Sequence, residues 1–262
     1  MVGSIKKISV ICVIWIILVS TNLAVAAADY AREQRWADEV TPGIVVGEAV
    51  YLKQKNRHQF LAIYSENAQA TMGLVIVHGM GIHPDWGMIN TLRQDLVDEG
   101  FTTLSIQMPV LAADADFRQY PSVFDEAAER LQLSVAYLKN KGYQRVAIVS
   151  HSNGSRMSRV YMAQNPKEVN AWAALSLTQG DTYAGINAPI LDLYGAKDLP
   201  HVIKAVEKRK ASFKNSASKQ IEINDCNHFF NNHENEMVKN VSTFLKEHDK
   251  QQYSEQKRKT TM

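Results

Sequence analysis

From residue 48 to residue 245 the chain alternates short apolar runs with stretches whose apolar residues return every three or four positions. The runs read as strands and the periodic stretches as amphipathic helices. Candidate strands at 48–52 and 59–64 flank the polar residues 53–58, the pattern of an antiparallel hairpin. Residues 72–77 form a continuous β-rich apolar run, suited to a strand buried on both faces. Residues 86–99 put Ile89, Leu92, Leu96 and Val97 on one helical face and end at Gly100. A strand at 101–106 follows. The clearest period lies at 124–139, where Phe124, Ala127, Ala128, Leu131, Val135 and Leu138 fall at offsets 0, 3, 4, 7, 11 and 14. Strands at 146–149, 171–176, 190–194 and, more weakly, 220–223 then alternate with helices at 155–164, 201–213 and 234–246. Asn165-Pro166 closes the first of these helices.

A hairpin followed by repeated strand and helix units predicts one α/β domain with a mostly parallel sheet, antiparallel N-terminal strands and helices on both faces. The domain is expected over residues 47–246, after a polar segment at 29–46 and before a polar tail at 247–262 that frays into solvent. Ligands in such sheets bind at the carboxyl ends of the strands, so chemistry is sought just past each strand.

Past the strand at 146–149 stands Ser150-His151-Ser152-Asn153-Gly154, the outline of a nucleophile elbow. The turn holds its serine on a sharp strand-to-helix bend and needs small residues two positions to either side. With Ser152 as nucleophile these are Ser150 and Gly154, so serine stands where the G-x-S-x-G pattern has its first glycine. Past the strand at 72–77 comes His78-Gly79-Met80-Gly81-Ile82-His83-Pro84-Asp85-Trp86. Its glycines let the backbone turn peptide N–H groups toward a developing oxyanion, and Met80 N–H with Asn153 N–H is the expected donor pair. A plain tight turn is the alternative; a phosphate loop lacks its glycine and lysine signature. Asp198, in Gly195-Ala196-Lys197-Asp198, is the expected acid, with Asp181 as the alternative and Asp192 placed inside its strand, facing a helix layer. His228, in Asn227-His228-Phe229-Phe230, is the expected general base, the two phenylalanines packing its loop on the core. His233 lies at a polar helix start, where capping explains it. Gly79, Gly81, His151, Trp86 and Met108 are the expected substrate-binding residues.

The motifs H-G-M-G, S-H-S-N-G, Y-G-A-K-D and N-H-F-F, in the chain order Ser, Asp, His, resemble those of the α/β-hydrolase superfamily over residues 48–245. The segment from His78 to Leu111, with H-P-D-W and Q-M-P, resembles an uncharacterised branch of exported bacterial α/β-hydrolase-like proteins. The resemblance implies a serine hydrolase acting on an ester-like bond, carboxylester or thioester, through Ser152, Asp198 and His228, with no cofactor. It does not imply a substrate, because the fold hosts many activities. An inactive ligand- or partner-binding protein and an acyltransferase are the alternatives. Many relatives insert a cap between residues 176 and 190; only residues 177–189 stand there, so little or no cap is expected. The loop 107–122, with Met108, Phe117 and Tyr120, is expected to line the pocket for an apolar acyl group.

The ends of the chain and its charge set the context. Lys6 and Lys7 precede an apolar run at 8–19 and an alanine cluster at 24–28, the three regions of a signal peptide over residues 1–28. A periplasmic or secreted protein is expected, with an uncleaved membrane anchor as the alternative. Cleavage removes two lysines and no acid, bringing the formal charge from +2 to zero. A neutral chain carries no electrostatic footprint for nucleic acid; a small-molecule acyl substrate is the partner that the serine-hydrolase resemblance implies. Cleavage also leaves Cys226 as the sole cysteine, so no internal disulfide can form. No metal site is expected from the histidine spacing. Oligomeric state is not legible.

Overall fold

The computed structural model describes residues 27–260, with backbone alone at 250–260. Nearly all of the expected leader lies outside the described residues. No described helix is long and apolar enough to cross a membrane. The strands are β1 (Glu48–Lys53), β2 (Gln59–Ser65), β3 (Met72–Val77), β4 (Thr102–Ile106), β5 (Arg145–His151), β6 (Ala171–Leu175), β7 (Ile190–Lys197) and β8 (Lys219–Asn227). They form one sheet in the order β1-β2-β4-β3-β5-β6-β7-β8. β1 pairs with β2, and β2 with β4, antiparallel; every pairing from β4 to β8 is parallel. The α/β fold expected from the sequence is the fold observed.

The inner strands show why continuous apolar runs were needed. In β3, Val75 and Val77 enter one core while Leu74 and Ile76 enter the other, and β5 divides Val146 and Ile148 from Ala147 and Val149 in the same way. The first core is roofed by α3 (Phe124–Asn140) and α4 (Asn153–Gln164), the second by α2 (Gly87–Asp98) and α7 (Glu234–Thr260). Each fully buried leucine, isoleucine or valine contributes roughly 1.5–3 kcal/mol. Every residue of β3 is buried, so a polar residue on either face would lose that contribution.

Four features depart from the sequence reading. The polar segment 29–46 contains a helix, α1 (Tyr30–Val40), capped by the Asp29 side chain on Arg32 N–H. Its inward face escapes a hydrophobic-period search because it carries Glu33, which is buried against the equally buried Arg130 at 2.9 Å. Burial pushes the Glu33 carboxyl above its usual range although Arg130 opposes this. The helix expected at 201–213 is broken into α5 (Pro200–Lys204) and α6 (Val206–Ala211). The Arg209 guanidinium, locked to Asp192, donates to the Val202 carbonyl at 2.7 Å, and that carbonyl accepts Ala205 N–H at 3.2 Å in the tighter turn that ends α5. β8 extends to Asn227, four residues beyond its apolar run. α7 continues past Lys246 to Thr260, where a frayed tail was expected. His248, buried, packs with its ring tilted 4.4 Å from that of Phe244 and gives the helix a core contact beyond the apolar stripe.

Candidate active site

β4 and β5 leave the chain order on opposite sides of β3, so the sheet reverses direction there and opens a crevice beyond the carboxyl ends of β3 and β5. Both glycine- and serine-bearing loops emerge at this crevice. The β5 backbone carries straight through His151, and Ser152 N–H still donates to the Leu175 carbonyl of β6 at 2.8 Å. The chain then turns at once into α4. Ser152 absorbs the turn with φ 55° and ψ −122°, a conformation that costs a non-glycine residue about 1–3 kcal/mol. Such strain persists only where its surroundings hold it.

Those surroundings explain the serine at 150. Ser150 Oγ accepts the Trp172 indole N–H at 2.7 Å and lies 3.1 Å from Ser155 Oγ, so its hydroxyl is satisfied in the core. On the other side of the elbow no side chain fits. A Cβ at Gly154 would lie 2.2 Å from the His78 carbonyl oxygen, so the glycine lets α4 press against the loop after β3.

The three residues expected to act together are brought together. Ser152 Oγ lies 3.0 Å from His228 Nε2, and His228 Nδ1 lies 2.6 Å from Asp198 Oδ1. Asp198 and His228 follow β7 and β8, neighbouring parallel strands, which places acid and base side by side. The Asp198 carboxylate also accepts Leu199 N–H at 2.6 Å and the Ser176 hydroxyl at 2.5 Å. Burial raises its pKa, but His228, Ser176 and Leu199 N–H outweigh that and hold it below its usual value. Since an ionised carboxylate only accepts, His228 Nδ1 must donate to it, leaving Nε2 free to accept from Ser152. His151 fixes the same loop: its Nε2–H donates to the His228 carbonyl at 2.9 Å. Burial lowers the His151 pKa to about 3, which keeps the ring neutral.

The loop after β3 is pinned by His78, whose Nδ1–H donates to the Gly79 carbonyl at 2.7 Å while Nε2 accepts Met108 N–H at 2.9 Å. Burial lowers this ring to about 3 as well, so both bonds hold at neutral pH. α1 supports the loops from outside. Asp29 N–H donates to the Val110 carbonyl, Arg32 to that of Leu111, and Trp36 packs 5.7 Å from the His83 ring.

A cavity of about 400 Å³ opens over Ser152. Gly79, Met80, His151 and Asn153 line it as expected. Neither Met80 N–H nor Asn153 N–H has an acceptor among the described residues. Three expected binding residues stand outside the cavity. Met108 is buried in the core beneath α3, because it continues the inward alternation of Leu104 and Ile106 beyond the end of β4. Trp86 packs edge-on behind Phe229 at 5.3 Å, and Gly81 makes a left-handed turn (φ 74°) toward Arg32. Of the phenylalanine pair, Phe230 is buried in the core but Phe229 faces the cavity.

Phe117 lines the cavity, as expected for the loop 107–122, whereas Tyr120 of the same loop is buried in the core; Ile82, Thr178, Gln179, Leu199 and His201 complete the wall and were missed by sequence reasoning. These five follow strands by two to five residues, a signal shared with ordinary turns. The alternative acid, Asp181, is paired with Arg156 at 2.9 Å, and Asp192 is buried against Arg209. His233 lies 3.6 Å from Glu236 on its own helix. Among the described residues no three histidine, cysteine, aspartate or glutamate side chains are grouped to hold a metal.

Residues 32–127 match the family described as "Protein of unknown function (DUF3530)". No curated protein matches the chain. Several solved structures share its fold. Est1E from Butyrivibrio proteoclasticus superposes with a TM-score of 0.62 at 16% identity, covering 76% of this chain and 98% of that one. Dienelactone hydrolase from Anabaena variabilis gives 0.64 at 19%, covering 76% and 96%. XC6422 from Xanthomonas campestris, described as an α/β serine hydrolase without a lid, gives 0.64 at 12%, covering 78% and 95%. The chain has the α/β-hydrolase fold.

Proposed function

We propose that this protein is a serine hydrolase that cleaves a carboxylester or thioester bond with Ser152 as nucleophile, His228 as general base and Asp198 as its orienting acid. The observation that carries the reading is the continuous hydrogen-bonded line from Asp198 through His228 to Ser152, at 2.6 and 3.0 Å, with Ser152 in the strained elbow conformation. His228 Nε2 takes the hydroxyl proton as Oγ adds to the substrate carbonyl. Met80 N–H and Asn153 N–H stabilise the oxyanion, and Asp198 stabilises the imidazolium. His228 then gives its proton to the departing alcohol or thiol, leaving an acyl-serine. Water, deprotonated by the same imidazole, adds to that acyl group and releases the acid with Ser152 restored. The chain's own residues supply every proton transfer in this sequence, and no cofactor is part of it.

The fold supports a hydrolase in kind, since its structural neighbours include esterases and a dienelactone hydrolase. The leader expected at residues 1–28 supports a periplasmic or extracellular location for this activity. The test is covalent labelling with a fluorophosphonate, followed by turnover of short acyl esters. Wild type should label at Ser152 and hydrolyse, and Ser152→Ala should do neither, with turnover lower by roughly 10⁶-fold. Ester hydrolysis retained by folded Ser152→Ala would overturn the assignment.

A further inference from the structure

The walls of the cavity contain polar atoms that nothing in the fold satisfies. Among the buried side-chain nitrogen and oxygen atoms that make no hydrogen bond within the described residues are three, His151 Nδ1, Asn153 Nδ2 and His201 Nε2, that belong to residues lining this one cavity. Folded proteins leave few such groups, and those they leave ask for an explanation, commonly a ligand or ordered water. Asn153 is the most informative of the three because its orientation is fixed by chemistry. Arg156 Nη1 donates to Asn153 Oδ1 at 3.2 Å, and Arg156 Nε is in turn held by Asp181 at 2.9 Å. A guanidinium has only donors, so the amide cannot be flipped, and the Asn153 NH₂ is the arm left without a partner.

This amide belongs to the residue directly after Ser152, whose own backbone N–H is the oxyanion donor of the proposed reaction. The group it can serve is therefore close to the scissile carbonyl. Much of the remaining lining is apolar, with Met80, Ile82, Phe117, Leu199 and Phe229. Resting on the serine-hydrolase reading, we propose that the substrate is an ester with an apolar portion and an acceptor oxygen, hydroxyl or oxo, within a few bonds of the scissile carbonyl, and that the Asn153 side-chain amide binds that oxygen. Arg156 and Asp181 are positioning residues for it. The oxygen comes from the acyl chain or from a polyol leaving group; the chemistry recognised is the same.

Paired esters differing by one oxygen test this. Phenyl butyrate against phenyl β-hydroxybutyrate probes the acyl side, and propyl butyrate against ethylene glycol monobutyrate the alcohol side. Wild type should favour the oxygenated member of at least one pair by about fivefold or more in kcat/KM, the range of a hydrogen bond to an otherwise unpaired buried donor. Asn153→Leu should bring that ratio to near one, and Arg156→Met should give an intermediate value. Asn153→Ala, which removes the donor without adding an acceptor, carries the comparison if the leucine variant does not fold. A ratio near one in wild type for both pairs, as ordered water alone would give, overturns the inference. So does a preference that survives Asn153→Leu, or an equal loss on both members, which would assign the amide to the oxyanion. Fluorophosphonate labelling reports separately on Ser152. Should labelling fail, the serine reading fails, and affinities of Ser152→Ala for butyranilide and β-hydroxybutyranilide decide the inference by the same ratio.

Discussion

Replacing Gly154 by alanine sets a single methyl group against the backbone of the loop after β3. Its Cβ would lie 2.2 Å from the His78 carbonyl oxygen, 3.0 Å from the carbonyl carbon and 3.0 Å from Val77 Cγ1. Carbon and carbonyl oxygen meet at about 3.3 Å, so the overlap is about 1 Å. No flexible side-chain end can absorb it, because the obstacle is main chain. Either α4 or the loop must retreat, and between them they hold Asn153 N–H and Met80 N–H. Overpacking of this kind costs about 1–3 kcal/mol of stability. A displacement of about 1 Å in catalytic geometry costs roughly 10²-fold in rate. Gly154→Ala should therefore lose about 1–3 kcal/mol in urea unfolding and roughly 10²-fold in kcat on a short acyl ester. Its fluorophosphonate labelling should slow in parallel, because that reaction uses the same donors. Gly43→Ala is the control, since a Cβ there meets nothing within 4 Å. If Gly154→Ala unfolded at the wild-type urea midpoint and turned over within twofold of wild type, the close approach of elbow and loop would be irrelevant to the site.

Three further outcomes follow from the contacts described. Ser150→Gly, which restores the common elbow pattern, should destabilise the fold by about 1–3 kcal/mol, because the buried Trp172 N–H loses its acceptor; thermal and urea unfolding would check this. Asp198 is held below its usual 3.8, so its contribution is complete above that value and disappears as pH falls through the lower folded value. Unfolding free energy should thus fall more steeply below pH 3.8 in wild type than in Asp198→Asn, whose turnover should drop by about 10⁴-fold through the wrong histidine tautomer. Glu33→Ala leaves Arg130 buried with Glu126 as its remaining carboxylate and should cost about 3 kcal/mol in chemical denaturation.

The strands and the reacting residues were legible for a common reason. Strands buried on both faces are largely apolar, and a ligand site in such a sheet lies just beyond them, so Ser152, Asp198 and His228 stood out by position. Where burial is achieved by ion pairs the pattern fails: Glu33 and Arg130 hide α1, and Arg209 with Asp192 splits the helix expected at 201–213. Met108 was misplaced by treating the residue after β4 as loop, although its parity with Leu104 and Ile106 points it into the core. Thr178, Gln179, Leu199 and His201 reach the cavity only because β6 and β7 lie beside β5, a neighbourhood no local pattern records.

α1 braces loops that lie some eighty residues further along the chain, and the reacting line is completed only by residues after β8. Synthesis proceeds from the N-terminus, and contacts so distant in sequence form late. A growing chain therefore carries Ser152 through 76 further residues before His228, its hydrogen-bond partner, is made. On the proposed reading, the nascent protein stays chemically silent until that last strand is in place.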